Sequence, residues 1–352
     1  MSGTLEKPPL SSYGAYLAKE GIVGSVMQAV LIRTGEGNGN PLIAFLLGVK
    51  HHVRASFQAL LPSDAAAFLS GVTLGINQDF SPSLLQAFAL SGTRHLTAIS
   101  GLHMAVVIGV ILSICGYLLP RRYAIIITAL LVFLFVALTG FSVSAIRASL
   151  MAGTALLGKA TGRSYAPYTA LTASALLLTL LNPRVLVFDV GFQLSFLATI
   201  AILYLAPVLR RAFRMGSDSG FVGWKESLLM TVSAELATAP ILITQFHNFS
   251  LSAWVANVLV LWVVPFIMLL GFLMALLASL CMPLAVLVSF LIAPLAAYLL
   301  FVVRLFGAWA LIVDIPMGFA GVVIYYGLLV GVLYWFYAAP TRLSLALKKI
   351  HG

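Results

Sequence analysis

The chain has 352 residues, of which 61% are hydrophobic and only 9% charged, and its formal net charge is +10. A soluble domain needs about 25% charged residues to cover a surface that faces water, so this composition excludes a water-soluble globular fold. The basic excess is compatible with nucleic acid or anionic lipid as a partner, and also with the basic loops that orient an inner-membrane protein.

Residues 1–40 are polar and contain no secretory signal peptide, because no apolar segment precedes the prolines at positions 8 and 9. Residues 41–95 hold apolar stretches that charged residues interrupt. None of these stretches reaches the roughly 20 residues of a spanning helix. They predict N-terminal amphipathic helices at the membrane interface, or re-entrant pieces.

Long apolar runs begin at residue 96 and continue to residue 340. They predict an all-α fold, a polytopic transmembrane helix bundle of about eight or nine spans. Pro265 is expected to divide the longest run, so that the first part forms a half-helix. The predicted spans are 99–119, 123–138, 143–157, 167–181, 187–209, 227–246, 251–280, 284–303 and 320–337.

Most of the Lys and Arg residues close to these spans fall on one side of the bundle. By the positive-inside rule that side is cytoplasmic, which places the N-terminal segment outside the cell. Residues 341–352 then form a basic cytoplasmic tail. The pattern predicts a multi-pass protein of the bacterial inner (cytoplasmic) membrane.

Three charged residues lie within predicted spans: Arg147, Asp189 and Glu235. Each charge at mid-bilayer costs about 2.5–3.5 kcal/mol on insertion scales. Such residues either pair and brace helices inside the bundle or line a hydrated path through it, and both interpretations stay open.

A polar, glycine-containing turn, Ser100-Gly101, lies where the first span begins, between His95 and His103. The two histidines lack the spacing of a metal motif, and no Cys or Glu cluster accompanies them. No metal site and no cofactor are therefore predicted. The free N–H groups of a helix start can instead hold an anion such as phosphate.

The run HLTAISGLHM around this turn resembles the signature of the ComEC competence family, the inner-membrane DNA-uptake channel of transformable bacteria. GFSVSAIRASLMA resembles the family's helix with a buried Arg, and NPRVLVFDVGFQLSFLATIAI resembles a further family block. Ser11–Gly24 resembles the end of the family's N-terminal extracellular region. The resemblance extends over about residues 11–340.

The resemblance implies a membrane channel core that takes up single-stranded DNA across the cytoplasmic membrane during natural transformation. It also implies an extracellular DNA receptor as a partner. Because the chain has no nucleotide-binding loop, the energy has to come from a separate cytoplasmic ATPase or from capture of the strand inside the cell. The HxHxDH signature of the family's nuclease domain is missing from the sequence. We therefore expect no enzymatic activity, and a separately encoded metallo-β-lactamase-like domain as a further partner.

A DNA strand needs a hydrated path that attracts it weakly and has no deep trap. Polar residues within the spans are the candidates for lining this path. Arg147 suits contact with phosphates, whereas Asp189 and Glu235 would repel them and are interpreted as buried charge partners. The lining candidates are Ser100, Gly101, His103, Arg147, Gln193, Ser195 and Asn257.

Two other classes of function remain as alternatives. A secondary transporter of a small anionic solute would also use discontinuous helices and buried charges, although no internal repeat is visible in the sequence. An intramembrane enzyme would need a paired acid and base. The only candidate residues for such a pair are His95, His103 and Glu235.

Overall fold

A computed structural model describes residues 2–6, 25–30, 40–161, 167–215, 223–246, 249–310, 312–313 and 317–350. The segment Ser11–Gly24, which carries part of the family resemblance, lies outside the described residues. The chain forms two compact units. The first unit comprises Met1–Ser56 and Met104–Gln193, and the second comprises Phe57–His103 and Leu194–Gly352.

Helices make up most of both units. In chain order they are α1 (Pro41–Leu60), α2 (Ser63–Leu74), α3 (Pro82–Leu90), α4 (Gly101–Leu118), α5 (Arg121–Leu138), α6 (Val143–Thr161), α7 (Pro167–Leu181), α8 (Val185–Phe188), α9 (Val190–Ala212), α10 (Trp224–Phe246), α11 (Ala253–Leu261), α12 (Val264–Leu280), α13 (Met282–Ala308) and α14 (Phe319–Ile350).

In the described residues, two short antiparallel strand pairs accompany the helices. Strand β1 (Ser2–Glu6) pairs with β2 (Ser25–Val30) in the first unit. Strand β3 (Phe249–Ser250) pairs with β4 (Ile312–Val313) in the second unit, and so joins the segment after α10 to the segment after α13.

The first unit packs α5 against α6 and α6 against α7. Helix α1 contributes an ammonium group to this unit: Nζ of Lys50 donates a hydrogen bond to the carbonyl of Leu138, the last residue of α5, at 3.3 Å. A cation at a helix C-terminus complements the unpaired carbonyls of the last turn.

The second unit is built on a hairpin of α12 and α13, which Cys281 joins. Helix α2 packs against both arms of this hairpin, and α3 packs against α13. Glycines allow the close approach, since a Cβ on Gly271 would meet Leu69 at 3.3 Å and one on Gly307 would meet Ala87 at 3.0 Å. An ion pair between Asp64 and Arg304 joins the start of α2 to the end of α13.

Helix α2 is buried along its length, because every residue from Ala65 to Leu74 is shielded from solvent. An interfacial helix exposes one polar face to water. Helix α2 lacks such a face, and the assignment of 41–95 to interfacial helices or re-entrant pieces stays a prediction. Its polar residues Ser70 and Thr73 are buried with the rest.

Six helical segments in the described residues are long and apolar enough to cross a membrane, and the bent pair of α11 and α12 makes seven. The sequence predicted two further spans, which correspond to α6 and α7. Helix α6 carries Arg147, Lys159 and several hydroxyl side chains, and α7 has only 15 residues. Large apolar side chains such as Ile126, Leu130 and Phe133 on α5 are exposed, as a lipid-facing surface requires. The chain is a multi-pass membrane protein.

Two of the predicted spans are broken in the structure, at 251–280 and at 187–209. The run 251–280 is broken as expected, since α11 and α12 meet at a bend of 42° just before Pro265. The predicted single span 187–209 was wrong at its start, because the chain leaves the helix at Asp189 before α9 begins at Val190.

Candidate functional site

His103, a buried residue in the first turn of α4, holds the polar turn that precedes this helix. Helix α4 begins at Gly101, as the sequence predicted. The Ser100 backbone N–H donates to Nδ1 of His103 at 3.0 Å, and the Ser100 hydroxyl lies 3.2 Å from the same atom. Because Nδ1 accepts, the ring hydrogen is on Nε2. His103 thus satisfies one of the unpaired N–H groups at the helix start.

The neighbouring residues of this turn differ in exposure. His103 is fully buried, and its Nε2 forms no hydrogen bond with any described residue. Gly101 and His95 are exposed, and Ser100 is half-buried. Arg94 lies 5.5 Å from the centre of the Phe246 ring, a cation–π contact within the second unit.

In the first unit, Arg147 lies in α6 and is only 5% exposed. Half-buried Ser144 and Ala148 flank it on the same helix. A buried guanidinium keeps its charge, so it requires polar surroundings or hydration.

Asp189 and Gln193 are brought together at the break between α8 and α9. The Asp189 carboxylate is 5% exposed and accepts a hydrogen bond from the backbone N–H of Phe192 at 2.9 Å. This is the geometry of an N-terminal helix cap, in which a side chain pairs a free N–H of the first turn. The result fits the bracing role for Asp189.

The Gln193 side chain stabilises the same break. Its amide nitrogen donates to the carbonyls of Leu186 and Val187, at 2.9 and 3.0 Å. These carbonyls belong to the single turn of α8 and would otherwise lack helical partners. Both amide hydrogens of Gln193 are thereby engaged with the backbone.

In the second unit, Glu235 and Asn257 meet between α10 and α11. The Asn257 amide donates to Oε1 of Glu235 at 3.4 Å, and Asn257 is only 2% exposed. The Trp254 indole faces the same carboxyl, although its N–H completes no hydrogen bond. Trp254 and Asn257 are three residues apart and so share one face of α11.

The carbonyls of α10 beside this cluster are bonded from another helix. Pro240 has no N–H, so the carbonyl of Leu236, four residues earlier, loses its helical donor. The Tyr325 hydroxyl donates to that carbonyl at 2.7 Å, and the Tyr326 hydroxyl donates to Ala237 at 2.9 Å. Two adjacent tyrosines of α14 therefore stabilise the proline site of α10.

We expect Tyr325→Phe to lower the free energy of unfolding by about 1–3 kcal/mol, because it leaves the carbonyl of half-buried Leu236 without a donor. In a Pro240→Ala background the same change should cost less, since an alanine at this position would restore the helical N–H. A double-mutant cycle on unfolding in detergent measures this coupling. Equal costs in both backgrounds would contradict the assigned role of Tyr325.

The remaining candidates are placed as follows. Ser195 is half-buried in α9, and its carbonyl accepts a hydrogen bond from the Thr199 hydroxyl at 2.8 Å. Arg147, Asp189 and Gln193 belong to the first unit, whereas Ser100, His103, Ser195, Glu235 and Asn257 belong to the second. No cluster of metal-ligating side chains occurs in the part of the chain that the structure describes.

Comparison with known proteins identifies the family to which this membrane chain belongs. A family model described as Competence protein matches residues 72–338. The chain is a member of the competence protein family. The family inferred from the motifs is thus confirmed, while the resemblance assigned to 11–71 stays a prediction.

This competence protein is 29% identical over 277 residues to ComE operon protein 3 of Bacillus subtilis (strain 168). The alignment covers 76% of this chain and 33% of that relative. The chain therefore spans about a third of the length of the curated relative it matches. No solved structure gives a significant match.

Sequence reasoning missed three residues of the competence chain that contact the polar cluster or its helix: Trp254, Tyr325 and Tyr326. One signal was present, because a proline inside a predicted span always frees a carbonyl four residues earlier. The identity of the donor was not readable, since Tyr325 is 89 residues from Leu236 in the chain.

Proposed function

We propose that this chain forms the membrane-embedded path by which single-stranded DNA crosses the cytoplasmic membrane during natural transformation. The observation that carries the proposal is the competence family match, which extends from α2 to the end of the described spans. The N-terminal segment lies outside the cell, and 341–352 lie in the cytoplasm.

Phosphate contact is assigned to Arg147, the buried cation of the first unit. A guanidinium binds phosphate oxygens with two parallel N–H donors, while the strand's bases need no specific partner. Because Arg147 is 5% exposed, hydration along α6 has to accompany passage of the strand.

The other lining candidates take different parts in the proposal. Ser100, Gly101 and Ser195 contribute polar or open backbone surface, since each is at least partly accessible. His103, Gln193 and Asn257 act by holding helix ends and helix pairs, because their side chains already bond within their own unit. Asp189 and Glu235 brace helices in the same way.

Transport of the strand from the outside to the cytoplasm requires partners on both sides of the membrane. A cytoplasmic ATPase supplies the energy, an extracellular receptor delivers the strand, and a metallo-β-lactamase-like domain degrades the complementary strand.

Reconstitution into lipid vesicles tests the proposal. We expect vesicles with the protein to bind labelled single-stranded DNA and to protect part of it from added nuclease. Binding should weaken steeply with salt, because phosphate contacts release counterions. Double-stranded DNA and a small anion such as phosphate serve as controls. Accumulation of phosphate inside the vesicles without protection of single-stranded DNA would contradict the proposal in favour of a solute transporter.

A further inference from the structure

Two oxygen atoms in the second unit lack a hydrogen-bond donor. Oε2 of Glu235 and Oδ1 of Asn257 are shielded from solvent and accept no hydrogen bond from any described residue. The Asn257 amide already donates to the other carboxylate oxygen of Glu235. The carboxyl and the amide are therefore in contact through one hydrogen bond, and each retains one unsatisfied acceptor.

No cation compensates this carboxyl in the described part of the chain. The ion pairs of the second unit join Arg210 to Glu226 and Arg304 to Asp64, and neither involves Glu235. Glu226 lies in the first turn of α10, nine residues before Glu235, which is about 13 Å along a helix.

The elements packed against α10 contain few titratable groups. The Arg94 guanidinium lies over the Phe246 ring at the end of α10, eleven residues after Glu235. Helix α11 and strand β3 contain none. Helix α9 carries Tyr204 and the arginines of its last turn, of which Arg210 is paired with Glu226. Among residues 319–336 of α14 the titratable groups are Tyr325, Tyr326 and Tyr334, and the first two donate to backbone carbonyls of α10.

We propose that Glu235 is a proton-binding site, in which Oε2 carries a proton and donates it to Oδ1 of Asn257. Together with the existing amide donation to Oε1, this closes a cyclic acid–amide pair. One hydrogen atom satisfies both unsatisfied acceptors and removes a charge from a spanning helix, where a bare carboxylate is costly. The Trp254 N–H, which completes no hydrogen bond, does not replace that donor.

The proton site lies next to the turn of α10 that Pro240 weakens. Glu235 immediately precedes Leu236, whose carbonyl is held by Tyr325 and not by the helix itself. Loss of the proton places a negative charge beside this proline-weakened turn of α10. The site is independent of the DNA proposal, since nothing in it requires a nucleic acid.

Labelling with a hydrophobic carbodiimide tests the site on the full chain in lipid vesicles. The reagent takes the carboxyl proton onto its nitrogen while the carboxylate oxygen bonds to its central carbon, so only a protonated carboxyl reacts readily. We expect mass spectrometry to find the adduct on Glu235 at neutral pH and to find its loss as the pH is raised. Glu226 on the same helix is the matched control and should stay unlabelled, because it is paired with Arg210.

Two results would overturn the proposal. Absence of label on Glu235 across the pH range would mean that the carboxyl is ionised. Protection of Glu235 by Na⁺, compared with a large organic cation at equal ionic strength, would mean that a metal cation and not a proton satisfies the two oxygens. Labelling of Glu235 that Na⁺ does not change supports the proton site.

A stability measurement gives an independent test. Glu235→Gln imitates the protonated form, because its amide N–H can donate to Asn257 at every pH. The wild type binds one more proton folded than unfolded above the ordinary carboxyl range, so its stability falls as the pH rises there. We expect the melting temperature of Glu235→Gln to exceed that of the wild type by a margin that grows from pH 6 to pH 9. A pH-independent margin, like that expected for Glu226→Gln, would overturn the assignment.

Discussion

Replacing Arg147 by Ala is expected to lower DNA uptake about ten- to hundredfold, because hydrogen bonds to a charged group contribute about 1.5–3 kcal/mol and each 1.4 kcal/mol is a factor of ten. Arg147 is the buried cation of α6, and the proposal assigns it to the phosphates of the passing strand. Nuclease-protected single-stranded DNA in vesicles measures the effect directly.

Two matched variants separate charge from structure in this experiment. Arg147→Lys keeps the charge but loses the planar pair of donors, so uptake should fall less than with alanine. Arg184→Ala removes an exposed arginine of the first unit and should leave uptake unchanged. All variants should insert equally and elute alike in detergent. Normal uptake by Arg147→Ala would remove Arg147 from the DNA path.

Replacing Gly92 by Ala is expected to destabilise the second unit by about 2–5 kcal/mol, from backbone strain and overpacking together. Gly92 has a φ of +70°, and a Cβ there would lie 2.3 Å from Cβ of Ala253. The contact joins the segment after α3, which contains Gly92, to Ala253, the first residue of α11. Relief of the clash therefore requires a shift of the Gly92 backbone or of the start of α11. Thermal unfolding in detergent measures the loss.

The chain offers a control and a partial rescue for this variant. Gly109→Ala places a methyl group on α4 with no heavy atom within 4 Å, and should be neutral or slightly stabilising. Ala253→Gly combined with Gly92→Ala removes the 2.3 Å contact but leaves the φ strain, so it should recover part of the loss. Full stability of Gly92→Ala alone would show that the α3–α11 contact is not formed.

Several helix boundaries and the family of this competence protein could be predicted from its sequence. Spanning helices depend on the hydropathy of consecutive residues, so the boundaries of α5, α10 and α13 were close to those predicted. The start of α4 at Gly101 followed from a polar turn before an apolar run. The family followed from motifs that are contiguous in the chain, and residues 72–338 match it.

Local patterns do not show how distant neighbours surround an element. Contacts with α12 and α13 bury helix α2, and its sequence does not show these contacts. Asp189 appeared as a charge within one long span. In the structure its carboxylate caps α9 and so ends the helix before it.

The sequence by itself determined that the chain crosses a membrane several times, where its principal spans lie and to which family it belongs. Only the tertiary structure decided which polar groups meet. Glu235 and Asn257 are 22 residues apart, and Tyr325 is 89 residues from the carbonyl it holds. The reason is physical: hydropathy and helix-breaking residues act locally, whereas a hydrogen bond inside a bundle depends on which helix faces are packed together.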